Sequence, residues 1–272
     1  MGEIMELMDT GPSEAGWHPI ESALRCTQLY YITQVLKLGR DPLPEPLIRG
    51  SICHVGLAHF YERQRRMQSG EPFDRLYSPL DAMEVLWRLM GANDKDLLTR
   101  CQRAIEAYFQ AYATDRFTRI VAVEKQYEIQ LASGRYTARV DLHVEDRAGM
   151  QWFWDHKSSS RLMDKTGARY THSGQILGLQ EIGSRLYGSS FGGVRLNLLS
   201  VEDRPRFARC APGYNLGFRR KFEIMVKTGR DRMRILNQLS WDQVPPVATE
   251  LSCETIYGPC SCLEICKGGI FT

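Results

Sequence analysis

The side chains best suited to chemistry lie in the segment FWDHK, residues 153–157. Asp155 and Lys157 are two positions apart, so on a β-strand both would project from the same face. Asp141 precedes Asp155 by a spacer of thirteen residues, which two antiparallel strands and a tight turn can span. Neighbouring carboxylates repel each other unless a cation lies between them, and a hard divalent cation such as Mg²⁺ takes oxygen ligands of this kind. The spacing therefore indicates metal-assisted phosphodiester hydrolysis, with Lys157 holding or polarising the attacking water and the phosphate.

A solvated salt bridge is the alternative explanation of this Asp-x-Lys motif, which is short and common on strands. The residues before the motif argue against that explanation, because Trp152, Phe153 and Trp154 form an apolar run. Such a run is expected of a buried strand and not of a surface edge. We therefore expect the acid and the lysine to stand at the end of a strand in the interior.

The elements that must position these residues follow from the apolar patterns. RIVAVEKQYEIQL, YTARVDLHVED and MQWFWDHK are rich in Val, Ile and aromatic residues and are separated by the turn-like ASGR and DRAGM. They predict three consecutive, mostly antiparallel strands. Earlier in the chain, helical periodicity extends to about residue 113. Later, we predict a helix in GQILGLQEIGSRLYG, a strand in GGVRLNLLSVED, and a helix in GFRRKFEIMVKTGRDRMRILNQL with a break at Gly229.

This order of elements predicts an α/β (α+β) fold, in which a sheet is flanked by helices and preceded by a helical N-terminal insertion. The chain of 272 residues is long enough for a sizeable core. We expect one domain over residues 1–272. Its parts would be a mainly helical part at 20–115, a core at 116–240 and a cysteine-rich tail at 245–272.

The composition is ordinary for a soluble globular protein, with 43% hydrophobic and 25% charged residues. No run of 18 apolar residues occurs, and the acidic N-terminus lacks the apolar stretch of a secretory signal. These features predict no membrane contact and a cytoplasmic location. The net charge is only +3, yet residues 204–234 carry ten Lys or Arg and two acids. That local excess suits a polyanion, with a solvated helix face as the alternative.

Four cysteines, Cys253, Cys260, Cys262 and Cys266, crowd into fourteen residues near the C-terminus. In a cytoplasmic protein such a cluster indicates a metal site and not disulfides. All four could bind one zinc ion locally, although Cys-x-Cys after a long spacer is not a usual zinc-ribbon pattern. Free thiols are the remaining alternative.

Four sequence blocks, in order, resemble the PD-(D/E)XK nuclease superfamily and, within it, the RecB/AddB-type exonucleases, which include CRISPR-associated and phage enzymes. SALRCTQLYY resembles the Ser-x3-Cys-x3-Tyr block, and GSICH resembles the Gly-x3-His block. VDLHVED together with WFWDHK resembles the Asp…(Asp/Glu)-x-Lys core, and GQILGLQ resembles the following helix that carries a glutamine. The resemblance implies a restriction-endonuclease-like core sheet, with residues 116–240 as the catalytic core.

The resemblance also implies roles for individual residues. It makes His54, Asp141 and Asp155 the ligands of Mg²⁺ or Mn²⁺, Lys157 the residue that assists the water, and Gln175 the residue that orients Lys157 or the strand. Glu124, on the strand before the core, is expected to lie near the metal without binding it directly. One departure is Leu179, which stands where the family usually has a tyrosine four residues after the glutamine.

The cysteines acquire a second interpretation from the same resemblance. In AddB-type proteins one N-terminal and three C-terminal cysteines bind a 4Fe-4S cluster, which would correspond here to Cys26, Cys253, Cys260 and Cys266. Four thiolates are the usual ligands of such a cluster. The cluster would join the two ends of the fold as a clasp, with Cys262 left over. The other three cysteines are expected to be core or surface thiols: Cys53, Cys101 and Cys210.

The sequence as a whole predicts a metal-dependent DNA exonuclease that acts on single strands or on DNA ends. Phe207, Tyr214, Phe218 and Phe222 alternate with arginines in the basic stretch, a mixture that suits stacked bases and phosphates. A nucleic-acid-binding module without catalysis and a PD-(D/E)XK endonuclease are the alternatives. The chain has no phosphate-binding loop for ATP, so unwinding would require a partner: a helicase, a recombinase or a CRISPR integration protein.

Overall fold

A computed structural model describes residues 5–38, 43–113, 119–162, 167–213, 216–245, 253–255, 258–260 and 262–266. Its centre is a five-stranded sheet in which the strands follow one another in chain order. The strands are β1 (Arg119–Leu131), β2 (Gly134–Glu145), β3 (Gln151–Ser159), β4 (Phe191–Ser200) and β5 (Phe207–Cys210). β1, β2 and β3 form an antiparallel meander, β4 runs parallel to β3, and β5 runs antiparallel to β4. The three predicted core strands and the strand after them are confirmed.

Helices cover both faces of this sheet. They are α1 (Trp17–Arg25), α2 (Thr27–Tyr30), α3 (Glu45–Ser69), α4 (Pro79–Leu89), α5 (Lys95–Ala111), α6 (Gly174–Tyr187), α7 (Leu216–Leu236) and α8 (Leu263–Cys266). A π-helical turn, Tyr31–Val35, follows α2, and two-residue strands β6 (Glu254–Thr255) and β7 (Gly258–Pro259) pair in the tail. None of the helices in the described part of the chain is both long and apolar enough to cross a membrane.

Two hydrophobic cores lie on opposite faces of the sheet. The first core packs the sheet against α3, α4 and α5, and the second packs it against α1, α6 and α7. Adjacent residues of a strand point to opposite faces, so Trp154 enters the first core and Phe153 enters the second. The apolar WFW segment therefore reflects a strand that is buried on both faces.

Two features differ from the sequence-based expectations. The predicted break at Gly229 is wrong, because α7 continues through that residue. A glycine is needed there for packing, since a Cβ would lie 2.6 Å from Cγ2 of Ile20 in α1. The sequence also gave no sign of β5, whose four residues lie in the arginine-rich stretch.

Helix α6 packs unusually close to its neighbours. A Cβ on Gly174 would clash with the Trp17 ring, and a Cβ on Gly178 would clash with the Tyr136 hydroxyl. The absence of these side chains lets α6 approach the β2 strand and α1. This approach brings Gln175, in the first turn of α6, to the centre of the sheet.

An extended N-terminal strap, residues 5–16, crosses from α3 to the β1–β2 hairpin. At one end Glu6 forms a β-bridge with Leu76: its amide donates to the Arg75 carbonyl, and its carbonyl accepts from the Tyr77 amide. The Met8 amide donates to Nε2 of His59 at 3.1 Å. At the other end the Ala15 amide donates to the Thr137 hydroxyl at 2.8 Å. The strap is therefore held at both of its ends.

Candidate active site

The central strands separate at the position of the predicted acids. The pairing between β2 and β3 ends at Leu142 and Trp154. Beyond this pair the Asp141 carboxylate replaces a backbone carbonyl as acceptor, because the His156 amide donates to its Oδ2 at 2.7 Å. The opening between the strands leaves room for side chains from both of them.

Glu124 lies opposite Asp141 on the neighbouring strand β1, as the paired residues on either side show. Its φ of 49° is in the left-handed region, which is unfavourable for a residue with a side chain. The β2 strand is irregular at the same level. Val140 and Leu142 would share a face in a regular strand, yet Val140 packs in the second core and Leu142 in the first. Backbone strain of about 1–3 kcal/mol is characteristic of functional sites.

The ligand ring consists of His54 from α3, Glu124 from β1 and Asp141 from β2. One ligand atom of each residue lies within 4.8 Å of those of the other two, and Nδ1 of His54 is 3.6 Å from Oδ2 of Asp141. Oε1 of Glu124 is buried without a hydrogen-bond partner. Burial, with the nearby Asp141 carboxylate, raises the pKa of Glu124 well above its usual range. One imidazole and two carboxylates with an unsatisfied oxygen fit a hard divalent cation.

The lysine cluster consists of Asp155, Lys157 and Gln175. Nζ of Lys157 contacts both carboxylate oxygens of Asp155, at 2.9 and 2.8 Å, and donates to Oε1 of Gln175 at 3.1 Å. The Gln175 amide in turn donates to Oδ1 of Asp155 at 2.9 Å. Burial alone would lower the pKa of Lys157, but the carboxylates of Asp155 and Asp141 outweigh burial and raise it. The lysine therefore stays charged.

The two groups are adjacent. Burial raises the pKa of Asp155, the Lys157 charge opposes this rise, and the Asp141 carboxylate adds to it. Asp155 lies outside the ligand ring, while Glu124, assigned from the sequence outside the metal's ligands, lies within it. The sequence does not signal this kink, because the apolar residues at 121, 123, 127 and 129 all keep the same alternation.

A cavity of about 260 Å³ opens beside the ligand ring. The ligand ring and Gln175 form its floor, and strap residues 10–13 and α1 residues Trp17, His18 and Glu21 form other parts of its wall. Arg139 of β2 also lines it.

Behind the site, the first core contains a polar network that sequence reasoning missed. Asn197 donates to Nδ1 of His156 at 2.9 Å and to the Tyr108 hydroxyl at 3.0 Å. The Tyr108 hydroxyl also contacts Tyr61 at 2.6 Å and accepts from Arg209 at 2.9 Å. Burial lowers the pKa of His156 to about 3, so this ring is neutral. The signal was an Asn within the apolar strand LNLL, paired in register with His156 and Arg209.

The cysteine assigned near the N-terminus lies close to the tail cysteines. Burial raises the pKa of Cys26, and the nearby thiols of Cys260 and Cys253 raise it further. Burial likewise raises the pKa of Cys266 to about 11, with contributions from the same three thiols. Cys26 is the N-cap residue of α2, and its Sγ accepts a hydrogen bond from the Leu29 amide at 3.3 Å. These thiols are near enough to affect one another's pKa, but among the described residues the compact group of possible metal ligands is the ligand ring and not the cysteines.

The other predicted thiols and the basic stretch are placed differently. Cys53 and Cys101 are buried and hydrogen-bonded to each other in the first core. In the basic stretch, Phe222 is buried in the second core, and Tyr214 lies outside the described residues. Most of its arginines contact the protein itself, whereas Arg220 and Lys221 are exposed and, within the described part of the chain, form no ion pair.

Comparisons with known proteins found a matching family model and a solved structure of similar fold. Residues 19–267 match the family model of the PD-(D/E)XK nuclease superfamily. The crystal structure of a putative exonuclease from Eubacterium rectale is similar, with a TM-score of 0.57 and 12% identity over 95% of this chain and 88% of that chain. At this identity the likeness concerns the fold alone. The structure of SSO0001 has a TM-score of 0.32 and 10% identity over 81% of this chain and 85% of that chain, which is too low to support an argument. No curated protein matches the sequence.

Proposed function

Since the chain belongs to the PD-(D/E)XK nuclease superfamily, we propose that it is a metal-dependent exonuclease that hydrolyses single-stranded DNA or DNA ends. Family membership also confirms the predicted fold, a core sheet with flanking helices. The observation that carries the proposal is the ligand ring of His54, Glu124 and Asp141 beside a charged lysine. The protein would act in recombination, repair or CRISPR adaptation, together with a helicase, a recombinase or an integration partner.

The ligand ring would hold Mg²⁺ or Mn²⁺. Such a cation supplies Lewis-acid activation of the phosphate and of a water nucleophile when it is bound. Glu124 and Asp141 contribute negative oxygens, and His54 contributes a ring nitrogen. Asp155 stands next to the ring. Its Oδ1 accepts from Lys157 and Gln175, and its Oδ2, which accepts no hydrogen bond, would be the oxygen available to the metal, as the sequence predicts.

Lys157 would stabilise the negative charge that develops on the phosphate and would position the attacking water. Its Nζ is held by Asp155 and Gln175, so its orientation is fixed before substrate arrives. A donor that is already oriented requires no reorganisation during the reaction. Gln175 would therefore act through Lys157 as a positioning residue.

Several features support a substrate that is a single strand or a strand end. The cavity beside the ligand ring is bounded by the N-terminal strap and α1, which narrow the approach to the proposed metal ligands. Arg220 and Lys221 offer exposed positive charge at the start of α7. The name of the Eubacterium rectale protein of similar fold points to the same activity.

The four clustered cysteines would bind a 4Fe-4S cluster, with zinc as the less favoured occupant. What supports this is the electrostatic contact of Cys26 with Cys253, Cys260 and Cys266 across the whole length of the chain. The role would be structural, since the cluster would tie α2 to the C-terminal tail. No step of the hydrolysis involves it.

The nuclease proposal is tested on anaerobically purified protein with Mg²⁺ or Mn²⁺. We expect degradation of end-labelled linear single strands, no cleavage of circular single strands, and a large loss of activity in Asp155→Ala and in Lys157→Ala. Cleavage of circular DNA would instead identify an endonuclease. No cleavage by folded protein would favour a binding module.

The cluster proposal is tested by Cys260→Ala, with Cys210→Ala as the matched control from the half-buried thiol on β5. We expect the parent and the control to be coloured and to contain iron, and Cys260→Ala to be colourless and less stable. Normal visible absorbance and melting in Cys260→Ala would contradict the assignment. Metal analysis that finds zinc in the parent would identify the alternative occupant.

A further inference from the structure

Arg139 is a cation inside an otherwise acidic cavity. It precedes Asp141 by two positions on β2 and lines the same cavity as the ligand ring. Among the described residues of that lining, Arg139 is the one Lys or Arg, whereas Glu21, Glu124 and Asp141 are acids. A phosphodiester that enters the cavity meets one guanidinium, since Lys157 is tied to Asp155 and Gln175 below.

The partner of this guanidinium is a single residue of the strap. Nη2 of Arg139 donates to the Asp9 carboxylate at 2.9 Å, and Nη1 donates to the Asp9 carbonyl. Nε of Arg139 is buried and has no partner. The Asp9 side chain is 76% exposed, whereas that of Arg139 is 19% exposed. An anion therefore already sits on Arg139 at the mouth of the cavity, and one donor of the guanidinium is still unused.

Carboxylate and phosphate are interchangeable partners for arginine, because both present two oxygens to the forked N–H groups. Building on the nuclease proposed above, we propose that Arg139 binds a phosphate of the substrate strand and that Asp9 occupies this guanidinium until the strand displaces it. The strap is anchored on both sides of Asp9, by Met8 to His59 and by Ala15 to Thr137. The exchange thus requires only a local movement of Asp9.

A purely structural role for the pair makes a different prediction. If Arg139 only tethered the strap, loss of either partner would loosen the same contact, and both variants would change in the same direction. If Asp9 competes with phosphate, the two variants change in opposite directions. Asp9→Asn is suited to this purpose, since it keeps an oxygen for the Gly11 amide, which donates to Oδ1 at 2.8 Å, and removes only the charge.

The experiment measures binding of a fluorescent single-stranded oligonucleotide by anisotropy in EDTA, where no cleavage occurs. We expect Arg139→Ala to raise Kd about tenfold, which is about 1.4 kcal/mol. The slope of log K against log salt should fall in magnitude by about 0.7, the value for one single-strand phosphate contact. Arg139→Lys should recover part of the affinity, and Asp9→Asn should lower Kd.

Arg135→Ala is the matched control. Arg135 lies on the same strand, pairs with Glu14 of the same strap at 3.1 Å and with Glu128 at 2.9 Å, and lies outside the cavity lining. Its removal takes away the same charge and a strap contact, yet Kd should change less than twofold. Melting temperatures of all variants establish that they are folded.

Two results would overturn the inference. Weaker binding in both Asp9→Asn and Arg139→Ala would identify a tether. An unchanged Kd and salt slope in folded Arg139→Ala would remove Arg139 from the substrate path. Either result, with a parent that still degrades DNA, leaves the nuclease proposal intact. A folded parent that neither binds nor cleaves DNA would instead refute the proposed function and this inference together.

Discussion

The ligand ring and the lysine cluster are neighbours, but they differ in how well their polar atoms are satisfied. In the lysine cluster, Lys157, Asp155 and Gln175 each contact the other two. In the ligand ring, Oε1 of Glu124 has no partner, and its backbone is in the left-handed region. The first group is held together by its own ion pair and hydrogen bonds, with Oδ2 of Asp155 facing Nζ of Lys157 at 2.8 Å but accepting no hydrogen bond. In the second group, the described residues give Oε1 of Glu124 neither a hydrogen bond nor an ion pair.

This difference shows how the site divides its work. A buried carboxylate without a partner is unfavourable, and a second carboxylate beside it increases the penalty. A cation between them removes both problems, so the ligand ring is built for an ion that the chain does not itself supply. The lysine cluster, by contrast, is already oriented, and under the proposed function it would stabilise charge that appears during the reaction.

The largest expected effect is a loss of activity when either group loses its central residue. We expect Asp141→Asn and Lys157→Ala each to reduce degradation of end-labelled single strands by about 10³-fold, since each removes charge stabilisation of the transition state. Asp203→Asn, at a 95% exposed position, is the control and should retain activity. Substantial activity in Lys157→Ala would show that only the ligand ring is needed.

The second prediction separates the two groups by stability in EDTA. Glu124→Gln should raise the melting temperature by a few degrees, because it removes a buried carboxyl group from beside Asp141. Gln175→Ala should lower it, because hydrogen bonds to charged groups contribute about 1.5–3 kcal/mol each. Thermal unfolding followed by circular dichroism measures both variants. A lower melting temperature in Glu124→Gln would mean that the ligand ring is satisfied without an ion.

The third prediction concerns added metal. Mn²⁺ should stabilise the parent by about 2.7 kcal/mol at a hundredfold excess over Kd. The same addition should stabilise Gln175→Ala equally and Glu124→Gln much less. Melting curves with and without Mn²⁺ provide the comparison. Equal stabilisation of parent and Glu124→Gln would place the metal away from the ligand ring.

The smallest effect concerns the strap above both groups. Burial lowers the pKa of His59 below its usual value, and its Nε2 must be unprotonated to accept the Met8 amide. In the unfolded chain His59 is protonated near pH 6.5, whereas in the folded chain it stays neutral to a lower pH. The free energy of unfolding therefore decreases as the pH falls below about 6.5. His59→Gln should show a shallower decrease in urea unfolding between pH 7 and pH 5. An identical slope would contradict this role of His59.

The sequence predicted the long helices and strands correctly, but not the continuity of α7 at Gly229 or the short strand β5. Alternating apolar residues predicted the three central strands because periodicity and burial agree there. Gly229 was misread because its requirement comes from Ile20, more than 200 residues away in the chain. Strand β5 was missed because its four residues, FARC, are too few to show an alternating pattern.

For the site, local spacing brought attention to Asp141, Asp155 and Lys157, which two neighbouring strands present. The geometry around Glu124 depends on a backbone kink and on the register between β1 and β2, neither of which a motif records. The same holds for Arg139, because its environment is created by the strap. Residues whose surroundings come from distant segments thus required the structure.

The close packing of α6 has a consequence for the order in which the protein matures. Each glycine in a helix is about 1 kcal/mol less favourable than alanine, and α6 includes Gly174, Gly178 and Gly183 in fourteen residues. A helix of this length and composition is not stable alone. It is expected to form only once Trp17, Tyr136 and Phe191 are in place to receive it. Gln175 is then expected to reach Lys157 at a late stage of folding, so the lysine cluster would be completed only after the framework around α6 has formed.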